Sequence, residues 1–115
     1  MQETSFIVIF ITASTSEEAE KIANALLSKK KVACVNIISM IHSFFWWQGK
    51  IDSANESLLI VKTKRELLDD VVKLVKALHS YTVPEIIAIP IIGGNEDYLN
   101  WISDSVREEG VGREW

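Results

Sequence analysis

Residues 32–50 read VACVNIISMIHSFFWWQGK, a run of β-branched and aromatic residues unbroken by glycine or proline until the Gln48-Gly49-Lys50 turn. Such a run predicts one long strand that closes on a tight turn. Drawn out at about 3.3 Å per residue, it would span roughly 50 Å, more than a small domain needs. The strand therefore has to bend, bulge or project. If it lies at the edge of a sheet, its apolar end, Phe44-Phe45-Trp46-Trp47, needs cover, because an open edge invites uncontrolled pairing.

Working outward, residues 5–12 read SFIVIFIT, as a strand covered on both faces would. Ser14-Thr15-Ser16-Glu17-Glu18 then offers overlapping capping boxes, and Ala19, Ile22, Ala23 and Leu26 follow at helical spacing, which predicts a helix over 16–30. Beyond the long strand, residues 56–63 (ESLLIVKT) read as a further buried strand, and Thr63-x-x-Glu66 as the capping box of a second helix. Leu67, Leu68, Val71, Leu74, Val75 and Leu78 give that helix the clearest apolar stripe in the chain. It stops before Pro84. Residues 85–92 (EIIAIPII) are a strand with Pro90 inside it, and because proline cannot donate to a ladder this strand belongs at an edge. Gly93-Gly94-Asn95 supplies a break and a cap, Tyr98, Trp101 and Ile102 mark a short third helix, and residues 108–115 read as irregular.

The order is β-α-β-β-α-β with an extra C-terminal helix, which predicts an α+β, ferredoxin-like sandwich with an antiparallel sheet, built as one domain over residues 1–115. In that topology the first and third strands are central and the second and fourth are edges. The long apolar strand is then an edge that needs a partner. Since most soluble oligomers are symmetric homo-oligomers, the expected partner is a neighbouring copy.

Composition narrows the function. The chain has 115 residues, 48% hydrophobic and 24% charged, which excludes global disorder. Twelve Lys plus Arg against 16 Asp plus Glu give a net charge of −4, so the basic footprint that nucleic-acid phosphates demand is missing. The one basic cluster, Lys29-Lys30-Lys31, reads as a solvated helix end. No segment approaches the about 18 apolar residues of a membrane span, and Met-Gln-Glu-Thr-Ser lacks the basic start of a signal peptide. A lone cysteine, Cys34, excludes an internal disulfide framework and fits a reducing compartment, so the expected location is the cytoplasm. There the Asn55-Glu56-Ser57 sequon has no role.

The phosphate-loop, dinucleotide, nucleophile-elbow and zincin patterns are absent from the sequence, and the expectation is a protein that is not an enzyme. Cys34 and His79, with a carboxylate such as Glu56 or Glu85, have the donor types of a copper or zinc site. Other readings stand beside this one. Cys34 reads more readily as a small buried hydrophobe, His79 equally as a cation capping the second helix, and His42 more readily as an interface or surface residue. His79, Tyr81 and Glu85 are close enough in sequence to form a polar cluster. Trp46, Trp47 and Trp101 could line a pocket or pack in cores and interfaces.

Taken together, Ala33-Cys34-Val35-Asn36, Trp46-Trp47-Gln48-Gly49-Lys50-Ile51, Ile60-Val61-Lys62-Thr63, His79-Ser80-Tyr81 with Pro84-Glu85-Ile86-Ile87, and Tyr98-Leu99-x-Trp101 resemble the CutA divalent-cation tolerance family, from about Phe6 to Val106. The resemblance implies a ferredoxin-like subunit of a homotrimer with strand pairing between subunits, similar in architecture to PII-type signalling trimers. It further implies a cytoplasmic protein tied to copper (Cu2+) and other divalent cations, with no established reaction. By position, His79 corresponds to a histidine associated with copper and Cys34 to a recurrent strand cysteine, and Glu85 joins them as an expected metal ligand. Tyr81, Trp46 and Trp47 are the expected cleft or interface residues. Where members credited with a copper site can carry a cysteine and a second histidine, this chain has Ile11 and Leu78, and Ser80 stands where proline is usual. The alternative function is a PII-like module that binds small molecules in clefts between subunits.

Overall fold

A computed structural model describes residues 5–107 of the chain. Its elements are β1 (Phe6–Ala13), α1 (Ser16–Ser28), β2 (Cys34–Trp47), β3 (Lys50–Lys64), a single 3₁₀ turn (Arg65–Leu67), α2 (Leu68–Leu78), β4 (Ile86–Pro90) and α3 (Glu96–Ser105). The strands form one antiparallel sheet in the order β2-β3-β1-β4, so β1 and β3 are central and β2 and β4 are edges. Pro90 closes the β4 edge opposite Ile7. The tail expected to be irregular, residues 108–115, lies outside the described residues.

One face of the sheet is covered. Ile7, Ile9 and Ile11 of β1 and Leu59 and Val61 of β3 meet Ile22 and Leu26 of α1 and Val71 and Val75 of α2 in the buried core. These are the stripes that the helical and two-residue periods marked in the sequence. By strand alternation the opposite face carries Val8, Phe10, Ile38, Leu58, Ile60, Ile87 and Ile89, with Phe10 paired to both Ile60 and Ile87. Ile38, Ile87 and Ile89 are exposed there.

The long second strand bulges and also projects. Its register with β3 slips between Ile38 and Ile41, and the ladder then runs on to Trp47↔Lys50. Gln48 (φ 53) and Gly49 (φ 79) form the two-residue turn, both in the left-handed region that a type I′ hairpin requires. Here β3 begins at Lys50 rather than near residue 56. Asp52, Ser53 and Asn55 have poor strand propensity, but cross-strand pairing with Phe45, Phe44 and His42 holds them extended. The tip carries Phe44, Trp46 (73% exposed), Trp47 (59% exposed) and Ile51, so the tryptophans do not pack into this chain's own core.

Two local expectations are corrected. The first helix ends at Ser28, before the lysine run. Lys30 takes a left-handed φ of 59°, and its amide and that of Lys31 bond back to the Leu27 and Leu26 carbonyls, a Schellman closure. Lys31 is not solvated: its Nζ lies 3.0 Å from Asp70 of α2. The expected Thr63 cap also does not form. Thr63 is fully buried, and its hydroxyl donates to the Lys31 carbonyl at 2.6 Å, because the strand runs one residue further and the 3₁₀ turn intervenes before α2.

Candidate functional site

A polar cluster gathers where α1 begins, α2 ends and β1 stops. Thr15 caps α1 by accepting the Glu18 amide at 3.0 Å. The Glu18 carboxylate reaches back past the start of the helix and accepts from the Ser14 amide at 2.8 Å, the Ser14 hydroxyl at 2.9 Å and the Ser80 amide at 2.6 Å. Desolvation raises its pKa, but the Ser14 and Ser80 hydrogen bonds outweigh that and hold it at about 2.

His79 is the C-cap of α2, its amide bonding to the Val75 carbonyl, and its side chain is fully buried. Its Nδ1 accepts the Tyr81 amide at 3.0 Å, so the ring proton sits on Nε2, which donates to the Thr12 carbonyl at 2.6 Å. The ring is a connector between β1 and the 79–81 turn rather than a cation capping the last carbonyls of α2, one of the two readings its position offered. Glu18 Oε2 lies 3.8 Å from Nδ1. The Tyr81 ring packs at a tilt on His79, centroids 4.8 Å apart, and its hydroxyl donates to Glu56 Oε2 at 2.8 Å. Burial first, then Glu56 and Glu18, push the Tyr81 phenol up to about 12, so it remains a donor over the ordinary pH range. Glu56 is 9% exposed and lies opposite Ile41, directly after the bulge in β2.

The structure thus joins His79 and Tyr81, as their spacing suggested, but to Glu18 and Glu56. Glu85 is exposed one residue ahead of β4. Cys34 stands at the other end of the sheet. It pairs with Lys62, and Lys62 pairs with Val8, whereas His79 contacts Thr12, four residues along β1. That offset is about 13 Å along the strand before the sideways step across the sheet. The Cys34 thiol instead lies against the Tyr98 hydroxyl of α3; burial and then Cys34 push that phenol up. Its neighbour Asn36 accepts from Lys62. Among the described residues no group of three or more His, Cys, Asp or Glu side chains is arranged to hold a metal ion. His42 is exposed on the hairpin and packs on Phe44.

Sequence reasoning misses Glu18 and Glu56 as members of this cluster with His79 and Tyr81. Glu18 reads as a capping residue, and Glu56 only as one possible carboxylate beside Cys34 and His79. The available sign for Glu56 is a charge at the start of a run, ESLLIV, otherwise apolar after Ser57.

This is a four-stranded antiparallel α+β sandwich with a projecting hairpin, one apolar sheet face free of the chain's first two helices, and a partly buried polar knot at one end of the sheet. Residues 7–105 match the family described as CutA1 divalent ion tolerance protein, and the chain belongs to that family. It is 55% identical over 98 residues to the divalent-cation tolerance protein CutA of Archaeoglobus fulgidus, covering 85% of this chain and 95% of that one. It is 47% identical over 102 residues to the chloroplastic protein CutA 1 of Oryza sativa, covering 89% of this chain but only 58% of the rice protein's length. Among solved structures, the periplasmic divalent cation tolerance protein CutA from Archaeoglobus fulgidus superposes with a TM-score of 0.87 at 53% identity, covering 89% of this chain and 99% of that one. CutA1 from Oryza sativa superposes at 0.89 and 46% identity, covering 91% and 96%. No helix among the described residues is long and apolar enough to cross a membrane.

Proposed function

We propose that this chain acts as a homotrimeric, non-enzymatic binding protein that responds to divalent cations, copper first among them, in the cytoplasm. The observation that carries the reading is the pairing of family membership with surface: Phe10, Ile38, Ile60, Ile87 and Ile89 form an apolar sheet face, and an aromatic hairpin extends beside it. Contiguous apolar surface of this kind marks an interaction site, and a closed ring of copies would cover both features at once.

A cation site built on His79, Cys34 and Glu85 draws on more than one copy, since His79 and Cys34 are separated along the sheet within one chain. Engaging His79 also costs its bond to Thr12 or to Tyr81. Native mass spectra of the reduced protein, with and without a small excess of Cu2+, test the reading. A trimer that takes up copper saturably supports it. A trimer that takes up none removes the copper part, and a monomer removes the assembly.

A second reading, a PII-like module binding small molecules between subunits, is favoured by one feature. Tyr81 and the nearly buried Glu56 meet at the bulge, where the hairpin leaves the body. Thermal-shift screens against metals, nucleotides and organic anions separate the two: stabilisation by an organic ligand and by no metal would establish this one.

A further inference from the structure

Glu56 is a carboxylate with nine-tenths of its surface buried and, among the described residues, a single hydrogen-bond partner, the Tyr81 hydroxyl. The ion pairs among those residues include Lys31–Asp70, Lys64–Glu66 and the His79–Glu18 contact, and none of these reaches Glu56. A buried charge without a counter-ion is strongly unfavourable. The groups around it offer no positive charge: Tyr81 is a neutral donor, the His79 ring accepts the Tyr81 amide through Nδ1, and the carboxylate beyond it is Glu18. Among the described residues no cation is paired with Glu56, which leaves room for one supplied by another copy.

Among the described residues there is also a cation with no side-chain partner. Between Cys34 and Val61 the only Lys or Arg is Lys50, exposed at the tip of the hairpin and without a side-chain hydrogen bond or ion pair among the described residues. It cannot serve its own Glu56. Both lie on β3, six residues apart, which at about 3.3 Å per residue sets them about 20 Å apart. Around Lys50 stand Trp46, Trp47 and Ile51, all exposed, so burying the tip against another surface would carry the ammonium into a largely desolvated setting.

We propose that Lys50 of a neighbouring copy inserts beside Tyr81 and pairs with Glu56, so that the Glu56 site is complete only in the assembly. The inference rests on the homotrimer reading above. In a cyclic assembly each copy donates one Lys50 and receives one, which closes the set with no pair left over. The shape of the hairpin then has a purpose, since the Gln48-Gly49 reversal aims Lys50 from the end of the arm and the bulge at 38–41 sets the arm's angle to the body.

The test is zero-length carbodiimide coupling of the native protein, followed by peptide mapping, beside native mass spectra of Lys50→Met, Glu56→Gln and the double variant. A Lys50–Glu56 amide can arise only between copies, because the intrachain distance excludes it. The expected result is that link, a rise of at least about tenfold in the assembly's dissociation constant for either single variant, and no further rise in the double. Lys50→Met changes an exposed tip residue and reads out even if Glu56→Gln fails to fold. A trimer that forms without the link, with independent effects of the two substitutions, overturns the pairing and leaves the homotrimer standing. A monomeric protein overturns both.

Discussion

His79 Nε2 donates to the Thr12 carbonyl oxygen at 2.6 Å, tying the turn after α2 to the end of β1. The same ring accepts the Tyr81 amide, so its removal strands two partly buried backbone groups and leaves a cavity. His79→Ala is expected to lose about 3 kcal/mol in urea unfolding. A loss under about 1 kcal/mol would mean that the ring is a spare ligand rather than a structural connector. Any change in cation binding by this variant has to be read beside that stability.

Glu18 makes the fold acid-sensitive. Its folded pKa, about 2, lies below the ordinary 4.5, so its contribution is present above 4.5 and is lost as pH falls through 4.5 toward 2. Glu18→Gln should be less stable than the parent at pH 7, by on the order of 2 kcal/mol, and the gap should close by pH 2 to 3. A gap independent of pH would place the effect in packing rather than in charge.

Tyr81 makes the opposite prediction at high pH. Its folded pKa, about 12, lies above the ordinary 10, so stability is full below 10 and declines as pH rises from 10 toward 12. Tyr81→Phe should lack that decline and should cost about 1–3 kcal/mol at neutral pH by leaving Glu56 without its donor. Ultraviolet titration of the phenols against this variant separates the Tyr81 ionisation from that of Tyr98.

Lys30 occupies a left-handed position usually given to glycine. Lys30→Gly should raise stability by about 0.5–1 kcal/mol in thermal unfolding, the relieved backbone strain exceeding glycine's entropic cost. Lys30→Val should lower it, because a β-branched side chain is poorly accommodated at positive φ.

The element order, the central and edge strands and the three helices were legible because each rests on short-range signals: two-residue and helical periods, Pro90 and the Thr15 and Asn95 caps. The excess length of the second strand was legible too, as a need to bulge or project. Which residues it draws into strand was not, since Asp52, Ser53 and Asn55 extend only because β2 lies alongside. Thr63 likewise carries the spelling of a cap and spends its hydroxyl on Lys31.

The amino-acid sequence by itself determined the sandwich, its edge strands and its family, since these follow from local patterning and an ordered set of motifs. Only the tertiary structure decided the polar cluster. Glu18 meets Ser80 across 62 residues and Tyr81 meets Glu56 across 25, contacts that no period or cap encodes. They exist because β1 and β3 lie side by side, which brings the start of α1 and the end of α2 to one end of the sheet. The same closure separates Cys34 from His79, two residue types whose chemistry suggested a shared ion and whose positions along the strands do not allow one within a chain.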